Sequence, residues 1–304
     1  MLPLLLLLLV AGFYGYQWWQ ERVDRAAARA RLIADAATEL DKPQPDRDRL
    51  SSLMARLTRL PDAATSPELL ALQAEIELLR GRPERADEMF LGIATSPGAT
   101  PAQQRLGARI LLRKSETFAG DAAGWTGLLE QVLAFSERAY SDGRDAADLF
   151  RAWQAATRLW NPRKRELAAQ LAQAHPDSAE HRLVALVDDF DPARDATRVA
   201  DLFADFATAP YEVHALRTAV TLQKGDVPAA LAMAERDLNL APGVPGIRYV
   251  MAIVLHACAL ASKEGSVDRI RFADRRDRQL DWLEQRAPAD EPQRQQWQKM
   301  RAVR

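Results

Sequence analysis

Histidine, cysteine and clustered carboxylates are the residues that would carry catalysis or hold a metal, and this sequence places them where neither follows. His175 and His181 stand six apart across Pro176, at an expected helix junction, whereas a helical metal pair needs i, i+4 spacing to share one face. The lone Cys258 lies in the apolar run Met251–Leu260, two residues from His256 and on a different side of the expected helix. That is the setting of a small buried hydrophobe, not of a thiolate paired with a base. His214 and His256 read as packing or groove residues. No phosphate-cradling glycine loop, Gly-x-Ser-x-Gly elbow or His-Glu-x-x-His occurs. Asp188-Asp189-Phe190-Asp191 lacks the spacing and central glycine of a calcium loop, so helix capping accounts for it. A single cysteine excludes a disulfide framework and any multi-thiolate site. The chain is therefore expected to be non-catalytic, with no cofactor and no metal.

The charges are more suggestive. Arg105, Arg109 and Arg113 fall at i, i+4 and i+8, one basic stripe on one helix face. Two readings stand: a site for an acidic peptide or lipid headgroups, or a solvated face in a chain with 35 arginines and six lysines. A second basic stretch, Arg269, Arg271, Arg275, Arg276 and Arg278, is interleaved with Asp268, Asp274, Asp277 and Asp281, which should satisfy it along the same helix. Over all 304 residues, 41 Lys and Arg meet 42 Asp and Glu, a net charge of −1. That balance lacks the clustered positive charge that displaces counterions from phosphates, so nucleic acid is not an expected partner. With 48% hydrophobic residues the chain has ample material for a folded core.

The elements that carry these residues begin with an apolar run. Leu2, Leu4, Leu5, Leu6, Leu7, Leu8, Leu9, Val10 and Phe13 are followed by Trp18 and Trp19 with no charge between. Eighteen residues of helix from Leu2 to Trp19 span roughly 27 Å, close to a hydrocarbon core of about 30 Å, and aromatic rings at its end suit the headgroup layer. A cleavable secretion signal is the competing reading. It expects basic residues before the run and small residues soon after, and the run leads instead into Tyr-Gln-Trp-Trp-Gln-Glu-Arg. The prediction is a retained anchor, 1–20. Arg22, Arg25, Arg29 and Arg31 follow it, which places the body on the cytoplasmic side of a bacterial inner membrane, with a periplasmic body as the alternative.

Residues 21–44 are expected to form a juxtamembrane helix and linker broken at Asp41-Lys42-Pro43-Gln44-Pro45. Beyond it, Ser66-Pro67, Thr100-Pro101, Asn161-Pro162 and Asp191-Pro192 each set a capping side chain before a proline, a pattern that starts helices. No sustained alternation of β-formers appears, so the class is all-α. Two segments match at an offset of 144 residues: Leu72, Ile76, Leu78, Gly81 and Ala86 against Leu216, Val220, Leu222, Gly225 and Ala230. Gly81 and Gly225 allow a sharp turn after one helix, and Ala86 and Ala230 let the next approach closely. Further turns at Gly120-Asp121, Asn161-Pro162, Asp191-Pro192 and Gly265-Ser266 give spacings of 30 to 41 residues.

Gly225-Asp226-Val227-Pro228-Ala229-Ala230 followed by Pro242, and Gly81 to Ala86 with Phe90, resemble the tetratricopeptide repeat (TPR) family, whose period is about 34 residues. Gln73 and Arg217 depart from it, standing where the family has leucine. The resemblance implies a right-handed α-solenoid of helix hairpins, 45–288, with a capping helix at 289–304. It also implies groove-facing positions that include Ala215, Ala219 and Leu222, to which the Arg105, Arg109 and Arg113 stripe adds a basic element. The family's Lys and Asn clamp for a terminal carboxylate is missing from both good units, so an apolar groove for a helix or extended segment is the expected mode. The function that follows is a membrane-anchored TPR-like scaffold whose partners are other proteins, with the bilayer gripping the first helix. The alternatives are a single-span accessory subunit of a large membrane complex and a periplasm-facing envelope-assembly factor.

Overall fold

The computed structural model describes residues 2–40, 42, 45–118, 120–206 and 208–303, with side chains from 18 onward. Every regular element among them is a helix. The chain divides into two compact units, 1–93 and 94–304, where the sequence suggests one array from 45 to 288.

The first unit is built on α1 (Leu2–Leu40), α2 (Arg47–Leu57), α3 (Pro67–Leu79) and all but the last residue of α4 (Pro83–Ala94). α1 runs unbroken into the packed part of the unit. Its last third contributes Leu32 and Ala36 to a core with Leu50, Leu53 and Leu57 of α2 and Leu69 and Ile76 of α3. The end of α1 thus packs as one arm of a hairpin with α2 in this unit. Buried Glu39 fixes the turn between α1 and α2: it accepts from Lys42 Nζ at 2.7 Å, Arg49 Nε at 2.9 Å and the Asp46 N–H at 2.9 Å. The Lys42 and Asp46 hydrogen bonds outweigh desolvation and hold its carboxyl below the usual range. Ser66 caps α3 with Pro67 in its first turn. The departure from the TPR pattern at Gln73 has a local cause, since its buried amide donates to the Ala63 carbonyl at 3.0 Å. The expected anchor rests on residues 2–17, and the side chains of its leucines, Leu2, Leu4, Leu5, Leu6, Leu7, Leu8 and Leu9, lie outside the described ones. Among the described residues no helix is long and apolar enough to cross a membrane.

The second unit holds α5 (Pro101–Thr117), α6 (Ala122–Gly143), α7 (Ala146–Arg158), α8 (Lys164–Ala174), α9 (Ala179–Asp188), α10 (Ala196–Asp205), α11 (Tyr211–Gln223), α12 (Val227–Leu240), α13 (Pro245–Ala261), α14 (Val267–Glu284) and α15 (Gln293–Arg301). Each odd-numbered helix from α5 to α11 packs on its following partner and on the next odd-numbered helix. This is a stack of hairpins in which α5, α7, α9, α11 and α13 form one layer. Thr100 and Gln103 close a reciprocal capping box at α5. Asn161-Pro162 and Asp191-Pro192 differ from the expectation. Both lie in the turns ahead of α8 and α10, because the Asn161 side chain accepts from the Arg163 N–H and that of Asp191 from Ala193 and Arg194, which makes turns instead of caps. α15 covers the end of the stack with buried Trp297 and Met300 against Leu280 and Leu283.

One feature goes beyond neighbour-to-neighbour stacking. In the turn between α12 and α13, the Gly243 N–H donates to the Glu116 carbonyl at 2.7 Å, and Trp125 Nε1 donates to the Gly243 carbonyl at 3.0 Å. The first hairpin of this unit therefore touches the loop between its fourth and fifth.

Candidate functional site

The repeat turns are built on backbone that only glycine adopts without strain. Gly81, Gly225 and Gly265 have φ of +75°, +85° and +71° in the turns between α3 and α4, α11 and α12, and α13 and α14. Ala86 and Ala230 are fully buried, Ala230 among Met251, Val254, Leu255 and Cys258 of α13. Any side chain larger than a methyl would part α12 from α13 there.

The arginine stripe on α5 faces the layer of odd-numbered helices, and its charges are met within the chain. Arg105 forks onto the fully buried Asp148 of α7, with Nε at 2.9 Å and an Nη at 2.6 Å. Arg113 reaches Glu116 at 2.8 Å and the Tyr211 hydroxyl of α11 at 3.1 Å. Arg109 lies between them, and its charge adds to the burial that pushes Arg151 of α7 down against the pull of Asp148. Buried Arg158 joins three helices: it donates to Glu116 of α5 at 3.1 Å and to Glu212 of α11 at 3.0 Å, while Gln154 also holds Glu212 at 2.9 Å. Burial alone would lower Arg158, but Glu212 and Glu116 together hold its guanidinium above the ordinary value. α5 and α11 are thus linked through an ion-pair seam.

The other groove positions divide. Ala215 is buried beside Ala241, Val244 and Ile247, Leu222 packs toward α12 and α13, and Ala219 is half-buried. Arg217, where the family has leucine, is exposed and lies over the Phe203 ring at 4.7 Å.

An arginine and tryptophan cluster, unforeseen in the sequence, completes the contact at Gly243. Trp282 of α14 meets Trp125 edge-on at 5.6 Å between centroids, and Trp160 lies 6.4 Å from Trp125. Arg286 and Arg248 cover Trp282 at 4.0 and 4.4 Å, and Arg286 also donates to the Gly120 carbonyl at 2.9 Å. Burial and the neighbouring Arg286 push Arg248 down to about 10. Isolated tryptophans separated by 35 and 122 residues give no local signal of this grouping.

His181 and His175 sit on opposite sides of the turn that joins α8 and α9, and His175 packs edge-on against Tyr140. Burial raises the Cys258 thiol, which makes it a poor nucleophile. His256 Nδ1 lies 3.3 Å from an Nη of fully buried Arg276, a cation that also donates to the Val303 carbonyl. Asp195, not the Asp188 to Asp191 cluster, is the buried carboxylate of its region, held low by Arg194, the Asp191 N–H and Arg198. The second basic stretch is not satisfied along its own helix alone, because Arg275 reaches across to Glu235 of α12 at 2.6 Å. Among the described residues no three or more of His, Cys, Asp and Glu are placed to hold a metal ion.

Of the expected anchor and its flank, Leu2, Leu4, Leu5, Leu6, Leu7, Leu8, Leu9, Val10 and Phe13 lie outside the described side chains. Trp18 and Trp19 are exposed, with Arg22 over the Trp18 ring at 4.6 Å. Arg25 pairs with Glu21 at 2.7 Å, Arg29 with Asp62 at 3.0 Å, and Arg31 is exposed.

No family model matches the chain, and no curated protein does. Among solved structures it is similar to a tetratricopeptide repeat protein from Parabacteroides merdae, at 11% identity and a TM-score of 0.40, over 90% of this chain and 97% of that one. So distant a likeness carries no weight beside the chain's own hairpins.

Proposed function

We propose that the protein is a membrane-anchored, non-catalytic TPR-like scaffold of the bacterial inner membrane that recruits other proteins. The observation that carries this reading is the layered hairpin stack of the second unit, turned by positive-φ glycines at Gly225 and Gly265, with a like turn at Gly81 in the first unit. The ion-pair seam between α5, α7 and α11 is spent on holding that stack, so partners are received elsewhere. The α13 to α14 turn offers Leu260, Val267 and Ile270 as large apolar side chains in water, Val267 at 80% exposure. A groove of about 420 Å³ between α10 and α11, lined by Val199, Phe203, Arg217 and Lys224, offers a second surface of mixed character.

The test is native pull-down of the tagged full chain from mild detergent, beside V267D/I270D. A defined set of proteins retained by the parent and lost from the variant supports the scaffold. Retention of the same set by both would remove this surface, and no specific partner at all would sink the reading. Fixed stoichiometry with integral membrane subunits would instead favour the accessory-subunit role.

A further inference from the structure

Within the second unit, the groove of about 420 Å³ between α10 and α11 is built from two matching stripes. α10 lines it with Ala196, Val199, Ala200 and Phe203, and α11 with Arg217, Val220, Thr221 and Lys224. Each set falls at i, i+3, i+4 and i+7, so each is one face of its helix over two turns, about 10 Å long. Val199 and Val220 are buried, and Phe203 is half-buried. None of these positions is among Ala215, Ala219 and Leu222, the groove positions that the repeat resemblance implies.

The two ends of the α11 stripe are cations, and the lining holds no carboxylate. Arg217 is exposed, with its guanidinium over the Phe203 ring at 4.7 Å. Lys224, the exposed C-cap of α11, keeps helical backbone angles and stands two turns further on. Among the described residues neither forms an ion pair. The acids nearby are engaged elsewhere: Asp195 holds Arg194 and Arg198, Asp205 holds Arg182, and Asp226 caps α12. Asp201 lines a separate cleft with Arg182 and Arg198. The groove is thus an apolar strip flanked by two uncompensated positive charges.

Their spacing selects the occupant. Along an extended strand, acids on one face recur about 7 or 13 Å apart, and neither distance matches. In a helix, positions i and i+7 share a face about 10 Å apart, with i+3 and i+4 between them. A helix with acids at those ends and aliphatic residues between them meets both cations and the strip together. We infer that this groove receives an acidic amphipathic helix of a partner protein, which rests on the scaffold reading above. The charge pairs fix its register, and the aliphatic residues supply the buried area.

Fluorescence anisotropy with the full chain in neutral detergent tests it, with labelled, end-capped, alanine-based helical peptides as probes. The matched peptide carries two glutamates seven apart, with leucines at the third and fourth positions after the first. One control replaces both glutamates by glutamine; the other keeps the composition but sets the glutamates on the face opposite the leucines. The proteins are the parent, R217Q/K224Q and R271Q/R278Q, the last losing two exposed charges on α14. The matched peptide should bind the parent about 5- to 10-fold more tightly than either control, from two surface ion pairs. R217Q/K224Q should lose that advantage and R271Q/R278Q keep it, with thermal melting to check that both fold. Equal affinity for the matched and opposite-face peptides, equal loss in the two variants, or no saturable binding overturns the site. A proline-interrupted peptide that binds as tightly as the matched one overturns the helical occupant. Pull-down separates the groove from the scaffold role. A defined set of proteins retained equally by the parent and R217Q/K224Q defeats only the groove, whereas a parent that retains none defeats the scaffold.

Discussion

Gly243 and His256 show how much single positions carry in the second unit. A Cβ built on Gly243 would lie 1.9 Å from the Ser115 carbonyl oxygen, a backbone atom that cannot swing aside. Gly243→Ala should therefore cost about 1–3 kcal/mol by forcing the α12–α13 turn away from α5. Gly225 presents the opposite case: space is open around it, but its φ of +85° penalises any Cβ. Gly225→Ala should cost about 1–2 kcal/mol. Urea denaturation of both variants checks the pair, and a Gly243→Ala midpoint equal to the parent's would show that the contact with α5 adds nothing. His256 makes a prediction about pH. Burial, aided by the Arg276 charge, lowers its pKa, and Nδ1 must be the acceptor facing a guanidinium that has only hydrogens to offer. The unfolded chain takes the proton near pH 6.5 and the folded one only lower. Stability from this group is complete above about pH 6.5 and is lost as pH falls toward the depressed folded value. In His256→Gln the slope of melting temperature between pH 7 and 5.5 should flatten; an unchanged slope would assign it to other groups.

At the scale of elements, the seam through Arg158 ties α5, α7 and α11 into one layer. Arg158→Met leaves Glu212 without a counter-charge and Glu116 with Arg113 alone, which should cost about 3–5 kcal/mol. Neutralising the acids as well, in R158M/E116Q/E212Q, should recover most of that loss, because the penalty lies in the unpaired charge. Denaturant midpoints for the single and triple variants decide it, and a triple variant no better than the single would mean that the geometry of the pair matters more than its charge. The sequence was legible here in one respect and opaque in another. Glycines and prolines mark the turn between α3 and α4 and those from α5 to α14 except the α6–α7 turn, Arg144-Asp145, since a turn depends on the backbone freedom of a few adjacent residues. The i, i+4 spacing of Arg105, Arg109 and Arg113 likewise shows a basic face on α5. It cannot show that Asp148 lies opposite, 43 residues on, or that Tyr211, 98 residues on, takes Arg113. The meeting of Trp125 with Gly243 across 118 residues is invisible for the same reason. Local chemistry announces hairpins; which hairpins touch is settled by the summed rotation of the stack.

For the whole molecule the proposed anchor carries a prediction about the side of the membrane on which the hairpins would lie. A chain with a net charge of −1 has no overall preference, so the distribution of bases beside the apolar run must decide. Arg22, Arg25, Arg29 and Arg31 follow it within twelve residues of Trp19, and the acids among them count for little in this rule. Alkaline phosphatase joined after Arg304 should therefore be inactive, and a fluorescent protein at the same point should fold and emit. Reversing the bias is the sharper experiment. Three lysines placed after Met1, together with R22Q/R25Q/R31Q, should turn the chain over and switch on the phosphatase. Arg29 stays in the design because its guanidinium holds Asp62 and Glu68, at 3.0 and 3.6 Å, and its loss would confuse topology with folding. Phosphatase activity from the parent chain would move the scaffold to the periplasm, where its partners would be envelope-assembly proteins. Inactivity in both chains, with the fluorescent fusion bright in both, would mean that the bases after the apolar run do not set its orientation.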